Sequence, residues 1–108
     1  MNYEEAHATL VAIEASSLAD LRRDLIITAV RYAEIRAKWA LETPDERLLM
    51  DGGRTRAHNT LIDACNILSR NQAKAGEDNS WRRRLGDDRK VIGDFACFLH
   101  CILGIRAR

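Results

Sequence analysis

Proline occurs once in this chain and glycine six times in 108 residues. A sandwich or barrel of short strands needs a turn signal roughly every 8–12 residues, and the chain lacks that punctuation. Long apolar runs are missing too. The longest, Leu25-Ile26-Ile27 and Phe95-Ala96-Cys97-Phe98-Leu99, are far shorter than the roughly 18 residues that cross a bilayer. Neither sign of charge is in excess: 17 basic residues stand against 16 acidic ones, a net charge of +1. That weighs against a dedicated nucleic-acid binder, which usually carries a strong basic excess. The three cysteines are an odd number in apolar surroundings, which argues for reduced thiols and not for a disulfide framework. Glu4 and Glu5 stand where a signal peptide would carry Lys or Arg. The expected setting is the cytoplasm, away from any membrane.

What is abundant is Ala, Leu, Arg and Glu, which favour helix. The length suits one domain, residues 1–108. The reading is an all-α four-helix bundle with an extra short turn of helix near residues 80–85. Tyr3, Ala6, Leu10, Ile13 and Ser17 mark the inner face of a first helix over about 3–16, whose N-terminal dipole suits Glu4 and Glu5. Ser16 or Ser17 can cap a second helix, with Asp20 in its first turn. In it, Leu18, Leu21, Leu25, Thr28, Tyr32, Ile35 and Trp39 recur in alternating steps of three and four, the seam of a bundle or of a helix-mediated dimer. Ile26, Ala29 and Ala33 widen that stripe.

Thr43-Pro44-Asp45-Glu46 carries the signature of a helix start: a capping Thr, Pro at the first helical position and Glu closing a capping box. Gly52-Gly53 is expected either to break this helix or to let another backbone approach closely. It lacks the spacing of a phosphate-binding loop. A polar, Gly-bearing loop follows Arg70, then a short turn capped by Ser80 and ended by Gly86. Asp87 or Asp88 caps a C-terminal helix over about 89–105, with a wide apolar face through Phe95, Leu99 and Ile102.

Residues 51–70 are the one stretch where apolar and chemically able side chains share a helical period. Ala57, Leu61, Ala64 and Leu68 form a stripe that seeks a core, with His58, Ile62 and Cys65 beside it. Arg56, Asn59, Asp63, Asn66 and Arg70 form a second, wholly polar stripe. A solvated face is the commoner arrangement for such residues. Asn, however, is a poor helix former and two occur here, so the stripe beside His58 can also line a polar pocket. Arg54 and His58 share a face, and Arg89 and Asp94 can join them in a buried polar network that either binds a ligand or fixes helix register. The candidate ligand site is therefore Arg54, His58, Asn59, Asp63, Asn66, Arg89 and Asp94.

Other constellations carry less. Glu4 and His7 have the spacing of a carboxylate-bridged iron site, but no second Glu-x-x-His occurs. Cys97, His100 and Cys101, with Cys65 and His58 on another helix, are soft ligands without the spacing of a zinc knuckle. A disulfide between positions i and i+4 of a helix strains the reach of the bond. No metal or cofactor is expected. Trp81 beside Arg82, Arg83 and Arg84 can stack on a base and touch phosphates; the commoner arrangement docks Trp81 and Leu85 on the bundle and leaves the arginines wet.

The run Arg54-Thr55-Arg56-Ala57-His58-Asn59, with Asp63, Asn66 and Arg70, then Leu85-Gly86-Asp87-Asp88-Arg89-Lys90 and Ile92-Gly93-Asp94-Phe95-Ala96, resembles a family of small bacterial all-helical proteins of unknown function. The resemblance covers roughly the C-terminal two thirds of the chain and implies a bacterial origin and a helical fold, but no activity. The leading functional expectation is a small helical interaction or regulatory module, a homodimer through the 18–39 seam and the 95–105 face, acting through protein contacts. A small-molecule or enzymatic site at Arg54, His58, Asn59, Asp63, Arg89 and Asp94 is the alternative, and nucleic-acid contact through residues 81–84 is a second.

Overall fold

Thr43 opens the element that sets the length of the molecule. Its hydroxyl accepts the Glu46 N–H at 3.3 Å, while the Glu46 carboxylate accepts the Thr43 N–H at 3.2 Å. This closes the capping box, with Pro44 at the first helical position. From there α3 (Pro44–Lys74) runs for 31 residues without a break. At 1.5 Å per residue that is about 46 Å, which accounts for the longest dimension of the molecule, 47 Å. The expected break at Gly52-Gly53 does not occur, and no other backbone comes close there. The only atoms near the places a Cβ would occupy belong to the Arg56 side chain.

The computed structural model describes residues 1–108, and every regular element in it is helical: α1 (Tyr3–Glu14), α2 (Ala19–Leu41), α3, the short α4 (Ser80–Leu85) and α5 (Arg89–Arg106). Four long helices with one extra turn match the architecture expected from periodicity. α2 lies at the centre, packed along both α3 and α5; α5 also packs on α1, and α4 bridges α1 and α3. No helix is long and apolar enough to cross a membrane.

The core joins Ala6, Leu10 and Ile13 of α1, Leu25, Ala29 and Tyr32 of α2, Leu61, Cys65 and Leu68 of α3, Trp81 and Leu85 of α4, and Ile92, Phe95, Leu99 and Ile102 of α5. The 3.6-residue period therefore located the inner faces of α1, of α5 and of the C-terminal half of α3. The buried line of α2 runs through Leu25, Ala29, Tyr32 and Ala33, between the expected seam and the stripe that widens it. The apolar faces of α2 and α5 expected to associate with a second chain are covered to a large extent by packing on each other.

Two caps differ from expectation. α2 starts at Leu18 without a side-chain cap. Ser16 and Ser17 are instead occupied by Glu77, from the loop after α3, which accepts the Ser16 hydroxyl at 2.6 Å, the Ser17 N–H at 2.9 Å and the Ser17 hydroxyl. Ser80 lies inside α4 and not before it, because Asn79 turns back to donate to Ser69. Asp88 caps α5 as expected, accepting the Val91 N–H at 3.0 Å. Gly86 ends α4 with φ +68°, a conformation that side chains rarely adopt.

From residue 34 to residue 60 no side chain is buried. The end of α2 and the start of α3 form a two-helix arm, and a polar clasp takes the place of a core in it. The Trp39 indole N–H donates to Asp51 at 3.2 Å, and Arg47 donates to the Trp39 and Ala40 carbonyls at 3.0 and 2.9 Å. Arg47 thereby satisfies carbonyls that the end of α2 leaves free. The guanidinium carbons of Arg47 and Arg54 stand 4.4 and 4.1 Å from the Trp39 ring centroid, and each such cation–π contact is worth about 0.5–1 kcal/mol at an exposed site.

Candidate functional site

The seven residues proposed from sequence as a ligand site do not converge. Arg54 is taken by the Trp39 ring and by Asp51 at 3.9 Å. His58 is half-buried, its ring edge-on to Tyr32 at 5.6 Å, with Nδ1 3.2 Å from the exposed Asn59 amide oxygen. Asp63 is exposed on the opposite side, facing a groove along α2. Asn66 accepts Arg82 Nε at 2.8 Å. Arg89 is exposed and reaches only the Thr55 hydroxyl, at 3.3 Å. Asp94 lies beside the Met1 amino group at 3.8 Å. The buried network of Arg54, His58, Arg89 and Asp94 is thus not formed: the capped start of α5 leaves Arg89 in solvent and turns Asp94 toward the beginning of α1.

Two buried polar atoms in this region have no partner, Arg54 Nε and His58 Nε2. An unsatisfied buried polar group costs roughly 1–3 kcal/mol. Neither residue borders any of the surface grooves.

The basic cluster at 81–84 divides. Trp81 is buried, its indole N–H donated to the Gln72 side-chain oxygen at 2.7 Å, so its ring has no face free for a base. Arg82 is committed to Asn66, the Gly86 carbonyl and Asp87. Only Arg83 and Arg84 are exposed, and Arg84 donates to the Ser80 hydroxyl at 3.0 Å. This is the docked arrangement. Cys97, His100 and Cys101 lie on the exposed side of α5, while Cys65 is in the core, and no three His, Cys, Asp or Glu side chains come together as a metal site. Burial pushes the Cys65 thiol up to about 12. A maleimide reagent at neutral pH should therefore label two thiols in the folded protein and a third only in denaturant. Mass spectrometry that found Cys65 modified without denaturant would contradict the packing of α3 on α4.

The widest surface concavity is an open groove of about 400 Å³ between α2 and α3, lined by Leu21, Asp24, Ile27, Thr28, Arg31, Thr60, Asp63, Ala64 and Ile67. It is open, its lining surface is mostly apolar, and it holds no nucleophile beside a base. The larger anomaly lies at the tip of the arm. Leu41, Leu48 and Leu49 are 88%, 72% and 87% exposed, a concentration of apolar surface that single scattered residues do not explain.

The residues missed from sequence are these leucines and Glu77. The signal for the leucines was available. The inner line of α3 passes through Arg47, Asp51, Arg54, His58 and Leu61, so Leu48 and Leu49 fall off it, on the line of Asp45, Gly52 and Arg56. Glu77 had no signal, because its partners stand about sixty residues earlier in the chain.

In comparisons with known proteins, no family model, no curated protein and no solved structure matches this chain.

Proposed function

We propose that this protein is a small helical interaction module, non-enzymatic and working in the cytoplasm, that docks the outer face of its α2–α3 arm on another polypeptide. The observation that carries this reading is the exposure of Leu41, Leu48 and Leu49 on an arm whose own cohesion uses none of them. A core leucine contributes to stability; an exposed one at a helix end adds little to the monomer and offers burial of about 1.5–3 kcal/mol to whatever covers it. Further support comes from the dispersal of the polar candidates, which leaves no convergent set for chemistry. The unpaired, exposed Cys97 and Cys101 suit a reducing compartment.

A photo-crosslinking amino acid at position 48 or 49 should capture a polypeptide in the producing cell, whereas the same group at the exposed Ala73 should not. The variants Leu48→Glu and Leu49→Glu should each change folding stability by no more than about 0.5 kcal/mol and abolish the capture of the crosslinker at the neighbouring position. Equal capture at residues 48 and 73, or capture indifferent to the glutamates, would overturn the reading.

A further inference from the structure

The outer face of the arm is self-complementary about a point midway between residues 50 and 51. Along that face of α3 lie Asp45, Leu48, Leu49, Gly52, Gly53 and Arg56, spaced so that all of them share one side of the helix. Turn the segment end for end and its acid falls on its base: Asp45 meets Arg56, Leu48 meets Gly53, and Leu49 meets Gly52. Opposite charges coincide at the ends and large residues meet small ones in the middle.

Nothing inside the monomer accounts for that middle. Glycine is the poorest helix former after proline, yet two adjacent ones stand in the unbroken run of α3. No neighbouring backbone or core side chain occupies the space they open; only the flexible end of Arg56 lies over them, 3.3 and 3.8 Å from the positions a Cβ would take. The charged ends are also free. Asp45 and Arg56 make no ion pair within the chain.

We infer that the arm's partner is a second copy of this chain, paired antiparallel through α3 with Leu48 and Leu49 seated over the partner's glycine pair and Asp45 against the partner's Arg56. This rests on the interaction-module reading and gives it an occupant. The arrangement is isologous, each contact occurring twice about the twofold axis. The leucines form its apolar centre and the charges its rim, the usual anatomy of an interface. Arg56 swings off the glycines to reach the partner's carboxylate, and so uncovers the notch that the leucine fills.

Sedimentation equilibrium and light scattering over a wide concentration range test it. The expected result is a dimer that Leu49→Glu converts to monomer. Gly53→Leu should dissociate it too while leaving the helicity by circular dichroism intact, since leucine is the better helix former; a folding defect would move both readouts down together. Asp45→Arg and Arg56→Asp should each weaken the dimer roughly tenfold, because each reversal acts twice across the twofold. The double reversal should restore it. A protein that stays monomeric to millimolar concentration overturns the second-copy assignment, and so does a dimer in which the two reversals are additive. Capture of a different polypeptide by a crosslinker at position 48 from a monomeric protein would sink this inference alone; absence of both dimer and capture would sink the module reading with it.

Discussion

Replacing Trp81 with alanine is expected to cost about 3–5 kcal/mol, the range for removing a buried aromatic side chain, measured by urea denaturation followed by circular dichroism. For a domain of this size that is a large part of the whole stability. The loss has two sources. The indole fills the junction of α4 with the bundle and is 1% exposed. Its N–H is also donated to Gln72, itself 1% exposed, so alanine leaves a buried acceptor without a donor. Trp81→Phe separates the two: it keeps most of the volume and should cost about 1–3 kcal/mol, the price of the orphaned amide oxygen. A cost below 1 kcal/mol for Trp81→Ala would mean that α4 is not docked as described and would return Trp81 to the list of surface residues able to meet a nucleic acid.

The second large effect is acid sensitivity through Glu77. Donation by Ser16, by the Ser17 hydroxyl and by the Ser17 N–H favours the carboxylate and holds it down at about 2, against an ordinary value of 4.5. As pH falls, the unfolded chain takes up this proton first. The stabilisation is therefore complete above about 4.5 and is lost progressively as pH falls toward about 2. Thermal melts from pH 6 to pH 2 should show a decline in Tm that is shallower in Glu77→Gln, and the variant should melt lower than the parent at pH 7. Parallel curves for the two proteins between pH 4.5 and pH 2 would refute the role. Because Glu77 also donates its N–H to the Gln72 carbonyl at 2.8 Å, the Trp81 and Glu77 substitutions share a neighbour, and their effects should not add.

How much of this was legible follows from the range of the forces involved. Helix faces are written locally, in residues three and four apart, so the inner lines through Leu10, Leu25, Leu61 and Phe95 could be read directly. The capping box at Thr43 and the cap at Asp88 are equally local. Contacts between distant segments were not legible: Ser16 and Ser17 look like caps until Glu77 arrives. His58, Arg54, Arg89 and Asp94 look like a cluster until the start of α5 carries Arg89 into solvent. The glycine pair misled because a local rule for breaking helices was applied where the cost is tolerated within a long, well-capped helix.

The packing of α5 has a bearing on how the chain is made. It contributes Ile92, Phe95, Ala96, Leu99 and Ile102 to the core and packs on both α1 and α2, yet it is synthesised after all the other helices. While it is still in the ribosome, the apolar sides of α1 and α2 that it will cover have no lid. A nascent chain in this state is at its stickiest, and the interval between the emergence of α4 and that of α5 is when a holding chaperone would matter most.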